Sequence, residues 1–316
     1  MLATIGLLAG GLFLLYIGSE GLVRGGRSLA LRLGLTRLVV GLTIIAFGTS
    51  SPELVVSIKA ALDGSGAISL GNVIGSNICN IGLVLGLSAL INPIRVQAQV
   101  VRIQTPIMIV VSIILFLLLL DGNLSRWEGL GLFAGIIAYV PFSLFLAKKE
   151  KGEAVETNLD IHFDSVRKNI WLDILIVLAC LAVLALGAKF FVSGAVSLAK
   201  ALGISQAVIG LTIVALGTSL PELATSMVAA ARKEGDISVG NVIGSNIFNI
   251  LAILGISSLL RPIDLNGISL VDLGVMIILA VLTLPITKSG FVISRREGII
   301  LLAIYGGYIF YLLRSI

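Results

Sequence analysis

Residues 41–94 return at residues 210–263 without a gap, at a constant offset of 169, with 33 identities in 54 positions. Gly41-Leu42-Thr43-Ile44 recurs as Gly210-Leu211-Thr212-Ile213. Gly48-Thr49-Ser50-Ser51-Pro52-Glu53 recurs as Gly217-Thr218-Ser219-Leu220-Pro221-Glu222. Gly71-Asn72-Val73-Ile74-Gly75-Ser76-Asn77-Ile78-Cys79-Asn80 recurs as Gly240-Asn241-Val242-Ile243-Gly244-Ser245-Asn246-Ile247-Phe248-Asn249. Self-similarity on this scale makes the chain two copies of one structural unit.

The medium of those units follows from hydropathy. Only 12% of the 316 residues are charged and 57% are hydrophobic. A soluble protein carries about a quarter charged residues. A helix crosses the hydrocarbon layer with about 20 apolar residues. Ten such runs lie near 3–30, 36–62, 67–92, 102–120, 127–147, 170–200, 205–231, 237–260, 268–287 and 296–314. The fold class is therefore an all-α polytopic membrane protein of ten transmembrane helices in two five-helix repeats. Residues 1–147 and 170–316 form the halves, and the hydrophilic stretch 148–169 links them. The first run has no basic segment before it and no small-residue cleavage site, so it reads as a span and not a leader.

Five is an odd number, so the second half must enter the membrane upside down. Charge supports this independently: Arg24, Arg27, Arg32 and Arg37 align with Ser193, Val196, Ala201 and Gln206. With the amino terminus outside, 16 of the 22 basic residues fall on the inner side. Positive charge stays cytoplasmic. A multi-pass cell-membrane protein with both termini extracytoplasmic and a cytoplasmic 148–169 linker is expected. Inverted repeats are the architecture of secondary transporters, with binding near the midplane.

Other classes are excluded. The net charge of +5 comes without a basic block interleaved with aromatics, so nucleic acid is not a partner. Cys79 and Cys180 cannot make a disulfide framework, and the lone His162, in the linker, cannot make a histidine metal centre. No enzyme activity or cofactor is expected. The linker is far shorter than a regulatory domain of about 50 residues.

The chemistry lies in the duplicated polar residues. Glu53 and Glu222 sit midway along apolar segments, where a carboxylate costs at least about 2.5–3.5 kcal/mol. Each follows a proline, which removes an amide donor and should open the helix, freeing carbonyls near Ala46 and Ala215. Ser76 and Asn80, and Ser245 and Asn249, are spaced by four and share a helix face. Asn77 and Asn246 fall on another face, free to bond backbone groups, and Asn72 and Asn241 are placed to terminate or bend the same helices. Gly71, Gly75, Gly240 and Gly244 form G-x-x-x-G pairs that permit close helix contact. Glu20 and Arg24 are spaced for an ion pair, and Lys189 stands where Glu20 repeats. Carboxylates, amide and hydroxyl oxygens and free carbonyls are hard ligands that suit Ca²⁺, Mg²⁺ or Na⁺. A flexible, dehydrated cage favours Ca²⁺ over Mg²⁺.

The paired G-T-S-x-P-E and G-S-N-I-x-N segments resemble the α-repeats of the calcium/cation antiporter superfamily, and most of all its prokaryotic Na⁺/Ca²⁺ exchangers. The resemblance implies that the second, third, seventh and eighth helices hold the ions while the first and sixth slide against them. It implies that Glu53, Asn80, Glu222 and Asn249 surround a central Ca²⁺ position. Thr49, Ser50, Ser76, Thr218, Ser219 and Ser245, with the carbonyls of Ala46 and Ala215, then line flanking Na⁺ positions. Some members carry Asp at one of the two places held here by Asn80 and Asn249. The expected function is secondary exchange of Ca²⁺ for Na⁺ by alternating access. The alternative is Ca²⁺/H⁺ exchange with Glu53 and Glu222 as proton carriers. Ca²⁺, Na⁺ or H⁺ and the lipid bilayer are the expected partners, and a monomer is expected to suffice.

Overall fold

A computed structural model describes residues 2–154, 170–202, 215–265 and 268–314. Helices dominate: α1 (Leu2–Leu33), α2 (Arg37–Thr49), α3 (Ser51–Leu62), α4 (Gly66–Ile91), α5 (Val100–Asp121), α6 (Arg126–Ala154), α7 (Ile170–Ala201), α8 (Ala215–Thr218), α9 (Leu220–Ala231), α10 (Gly235–Leu260), α11 (Leu270–Lys288) and α12 (Arg295–Arg314). Eight of these are long and apolar enough to cross a bilayer, and the bent pair α2–α3 makes a ninth candidate. Of the expected seventh span, 205–231, residues 205–214 lie outside the described residues, as does His162. The expected 3–30 helix runs three residues further, to Leu33.

The expected opening at the first proline is a sharp bend of 47° between α2 and α3. Pro52 stands at the start of α3, where its missing amide costs least. Ser50 carries the break with φ −81° and ψ 7°. The freed carbonyls are not left bare as expected. Ser51 Oγ donates to Phe47 O (3.1 Å) and Gly48 O (2.7 Å). Ala46 O accepts Ser50 N (3.0 Å) and Thr49 Oγ1 (3.3 Å). A local hydroxyl reaches these carbonyls more cheaply than the backbone can leave them open.

α4 and α10 run unbroken past Asn72 and Asn241, so those asparagines neither end nor bend their helices. Each helix instead widens to π-type turns from its last motif residue onward, over Asn80–Leu85 and Asn249–Leu254. Both helices are buried in the centre, α10 almost completely. Gly240 and Gly244 let α2 approach: a Cβ on Gly240 would meet Leu38 O at 2.8 Å, and one on Gly244 would meet Leu42 Cα at 2.7 Å. α1 and α7 lie along one another at the periphery through a second set of glycines. A Cβ on Gly187 would stand 2.8 Å from Leu15 N, and one on Gly194 would stand 3.0 Å from Leu8 N.

Four two-residue strands close the ends. β1 (Ile94–Arg95) pairs antiparallel with β4 (Val292–Ile293), and β2 (Asn123–Leu124) pairs antiparallel with β3 (Ile263–Asp264). Adding 169 converts β1 into β3 and β2 into β4. The two ladders are thus repeat-related, and each joins one half to the other.

Candidate functional site

The bends bring the two carboxylates together by crossing. Ser50, one turn before Glu53, donates to Oε1 of Glu222 (2.8 Å). Ser219, one turn before Glu222, donates to Oε1 of Glu53 (3.2 Å) and lies 3.1 Å from Ser76 Oγ. Each serine therefore serves the other repeat's carboxylate, and both carboxylates lie within a helical turn of the same junction. Glu53 and Glu222 are fully buried. Among the described residues no Lys or Arg pairs with either.

The remaining oxygens are open. Glu53 Oε2, Glu222 Oε2, Asn80 Oδ1, Asn249 Oδ1 and Ser245 Oγ are buried without a hydrogen-bond partner among the described residues. Buried polar atoms are nearly always satisfied, and an unsatisfied one costs about 1–3 kcal/mol, more when charged. Oxygens contributed by α3, α4, α9 and α10 and lacking a donor can be satisfied by a dehydrated cation. Among the described residues there is no group of three or more His, Cys, Asp or Glu side chains, so such a cation would be held largely by neutral oxygens around two charges.

The Asn249 amide is oriented for this. Its Nδ2 donates to Asn77 Oδ1 (3.0 Å), leaving Oδ1 free. Asn77 also donates to Asn246 O (3.3 Å), the backbone role expected for it, whereas Asn246 turns its Nδ2 toward Met108 Sδ (3.6 Å). Thr49 Oγ1 and Thr218 Oγ1 bond the amide oxygens of Asn241 (3.1 Å) and Asn72 (3.3 Å) across the repeat boundary. Ala215 opens α8, beside Thr218.

Sequence reasoning missed Ser57 and Ser226, which accept from Asn72 and Asn241 at 3.0 Å each. Their signal was present, since they are identical residues 169 apart. It also missed half of a charge cluster. Glu20 does pair with Arg24 (2.6 Å), and it also binds Arg232 of the other repeat (2.8 Å). Arg27 and Arg37 bind Glu234 (3.4 and 2.7 Å), and Arg32 with Ser28 binds Asp173.

A family model described as "Sodium/calcium exchanger protein" matches this chain twice, at residues 3–145 and 172–314, ranges that are themselves 169 apart. The putative antiporter CaxA of Alkalimonas amylolytica is 37% identical over the full length of both chains. The sodium/calcium exchanger MaX1 of Methanosarcina acetivorans is 36% identical over 95% of each. A solved structure of the sodium-calcium exchanger NCX_Mj, soaked with zero Na⁺ and Ca²⁺, superposes with a TM-score of 0.85 at 35% identity, covering 98% of this chain and 99% of that one.

Proposed function

We propose that this chain, which belongs to the sodium/calcium exchanger protein family, is a secondary antiporter that moves Ca²⁺ against Na⁺ by alternating access. The observation that carries the proposal is the set of buried oxygens without donors, drawn from both repeats around two uncompensated carboxylates. Ca²⁺ takes six to eight oxygens at flexible angles, so Glu53, Glu222, Asn80 and Asn249 are its ligands in this reading. Thr49, Ser50, Ser76, Thr218, Ser219 and Ser245, with the Ala215 carbonyl, serve Na⁺ at the flanks, and the Ala46 carbonyl joins them when Thr49 releases it. One Ca²⁺ neutralises the two carboxylates, and two or three Na⁺ can replace it. A carboxylate pair satisfied by either cargo but costly when bare favours exchange over unaccompanied movement.

The frame is ten spans in two inverted five-helix halves, 1–147 and 170–316, with linker 148–169 cytoplasmic and both termini outside. The cross-repeat strand pairs and the repeat-related Ser–Glu bonds support it. One chain contains both halves of the site, so a monomer is sufficient.

The test is ⁴⁵Ca²⁺ uptake into proteoliposomes loaded with Na⁺, repeated with a pH gradient and no Na⁺. Uptake driven by the Na⁺ gradient alone is expected. If three Na⁺ exchange for one Ca²⁺, uptake also responds to membrane potential, which is worth about 2.3 kcal/mol per charge per 100 mV. Uptake driven by protons alone would move the coupling ion onto Glu53 and Glu222 and remove the flanking Na⁺ positions.

A further inference from the structure

Asn72 and Asn241 touch neither carboxylate side chain, yet each uses both ends of its amide at the site. Asn72 Nδ2 donates to the main-chain oxygen of Glu53 (3.3 Å) and to Ser57 Oγ (3.0 Å), while its Oδ1 accepts from Thr218 Oγ1 of the other repeat (3.3 Å). Asn241 repeats the pattern with Glu222 O (3.5 Å), Ser226 Oγ (3.0 Å) and Thr49 Oγ1 (3.1 Å). A hydroxyl has one proton and two lone pairs. With its proton directed to the asparagine, and for Thr49 shared with the more distant Ala46 carbonyl (3.3 Å), each threonine turns its lone pairs away from that side. The bonds to the main-chain oxygens of Glu53 and Glu222, which can only accept, fix which end of each amide faces the threonine. We propose that Asn72 and Asn241 are positioning residues that orient Thr218 and Thr49 as Na⁺ acceptors, and so set Na⁺ affinity without touching an ion. This rests on the Na⁺-coupled reading above.

The test is a double-mutant cycle in proteoliposomes, reading half-saturation for Na⁺ and for Ca²⁺ separately. Asn72→Ala is expected to raise Na⁺ half-saturation roughly five-fold, the worth of one net hydrogen bond, with Ca²⁺ half-saturation changed less than two-fold. In a Thr218→Val background the same substitution is expected to change neither. The mirror pair, Asn241→Ala with Thr49→Val, supplies a second, independent cycle should one variant fail to fold. Equal shifts for both ions, or effects that add in the double variant, would reduce the asparagines to packing and overturn the inference. A wild-type protein with no Na⁺ dependence would overturn the Na⁺ reading itself, and this inference with it.

A separate observation lies at the periphery. Glu20 on α1 binds Arg232 at the end of α9 (2.8–2.9 Å). Under the offset of 169, Glu20 becomes Lys189 on α7 and Arg232 becomes Asp63 at the end of α3. The pair is kept with its polarity reversed. Lys189 and Asp63 are both exposed, and among the described residues neither makes an ion pair. α1 packs along α9, whereas α7 barely touches α3. Exchanging the roles of two inverted repeats converts one access state into the other. We infer that Lys189 and Asp63 form the ion pair of the opposite state, at the opposite face, when Glu20 and Arg232 part. The two pairs are alternating latches.

Asp63→Lys should therefore slow exchange by roughly two- to five-fold, the range for one exposed ion pair. Adding Lys189→Asp should restore the rate by recreating the pair in reverse. Spin labels on Cys substituted at 63 and 189 of a Cys79→Ser/Cys180→Ser protein should show a shorter distance in one ion condition than in the other. A double variant no faster than the single, together with one invariant distance, would overturn the latch.

Discussion

Glu53→Gln or Glu222→Gln is expected to abolish ⁴⁵Ca²⁺ uptake while making the empty protein more heat-resistant. Both carboxylates are fully buried, and among the described residues no cation compensates either. Removing one partner of a buried charge pair costs about 3–5 kcal/mol, so Ca²⁺ binding should weaken by roughly 10²- to 10⁴-fold. In the ion-free protein the balance reverses. The amide has nearly the carboxylate's shape and can still accept from Ser219 or Ser50, and it removes a bare buried charge. Lost transport with a raised melting temperature is the mark of a ligand. Lost transport with a lowered one would mean that the carboxylates hold the fold, and the site assignment would fail.

Gly244→Val is expected to destroy the fold's centre. A Cβ there would collide with the Leu42 carbonyl, stand 2.7 Å from Leu42 Cα and stand 2.8 Å from Ala46 Cβ. Two of these three contacts are backbone, which cannot swing aside as a side-chain tip can. α2 would have to move off α10, carrying Ala46, Thr49 and Ser50 with it. Overpacking a core costs about 1–3 kcal/mol when side chains can adjust, and here at least about 2 kcal/mol is expected, with transport lost at once. The control is Gly306→Ala on α12, where no described atom lies within 4 Å of the added carbon. Its expected effect is neutral to slightly stabilising, because alanine favours the helix. Melting by intrinsic fluorescence of the detergent-solubilised variants separates the two. Equal melting of wild type and Gly244→Val would mean the close contact between α2 and α10 is absent.

The G-x-x-x-G spacing predicts close helix contact at Gly240 and Gly244, and the structure names α2 as the helix that approaches. Gly240 and Gly244 press on the α2 backbone.

The sequence by itself determined the medium, the duplication and the inventory of chemistry. Apolar length sets what crosses the bilayer, the offset of 169 names every repeated residue, and the cost of a carboxylate at depth singles out Glu53 and Glu222. These are properties of composition and spacing, and neither needs a partner. Pairing across the halves was decided only by the tertiary structure. Sequence placed Ser50 beside Glu53, but the hydrogen bond goes to Glu222, 172 positions away. It left Ala46 O free, where Thr49 and the Ser50 amide take it. It gave Asn72 and Asn241 a helix-bending role, where they tie threonine to glutamate across the repeat boundary. It paired Glu20 with Arg24 and did not foresee Arg232. A hydrogen bond or ion pair is short-ranged and directional, so its partner is fixed only once two helices have packed. Periodicity records which face of a helix is buried, not which helix buries it.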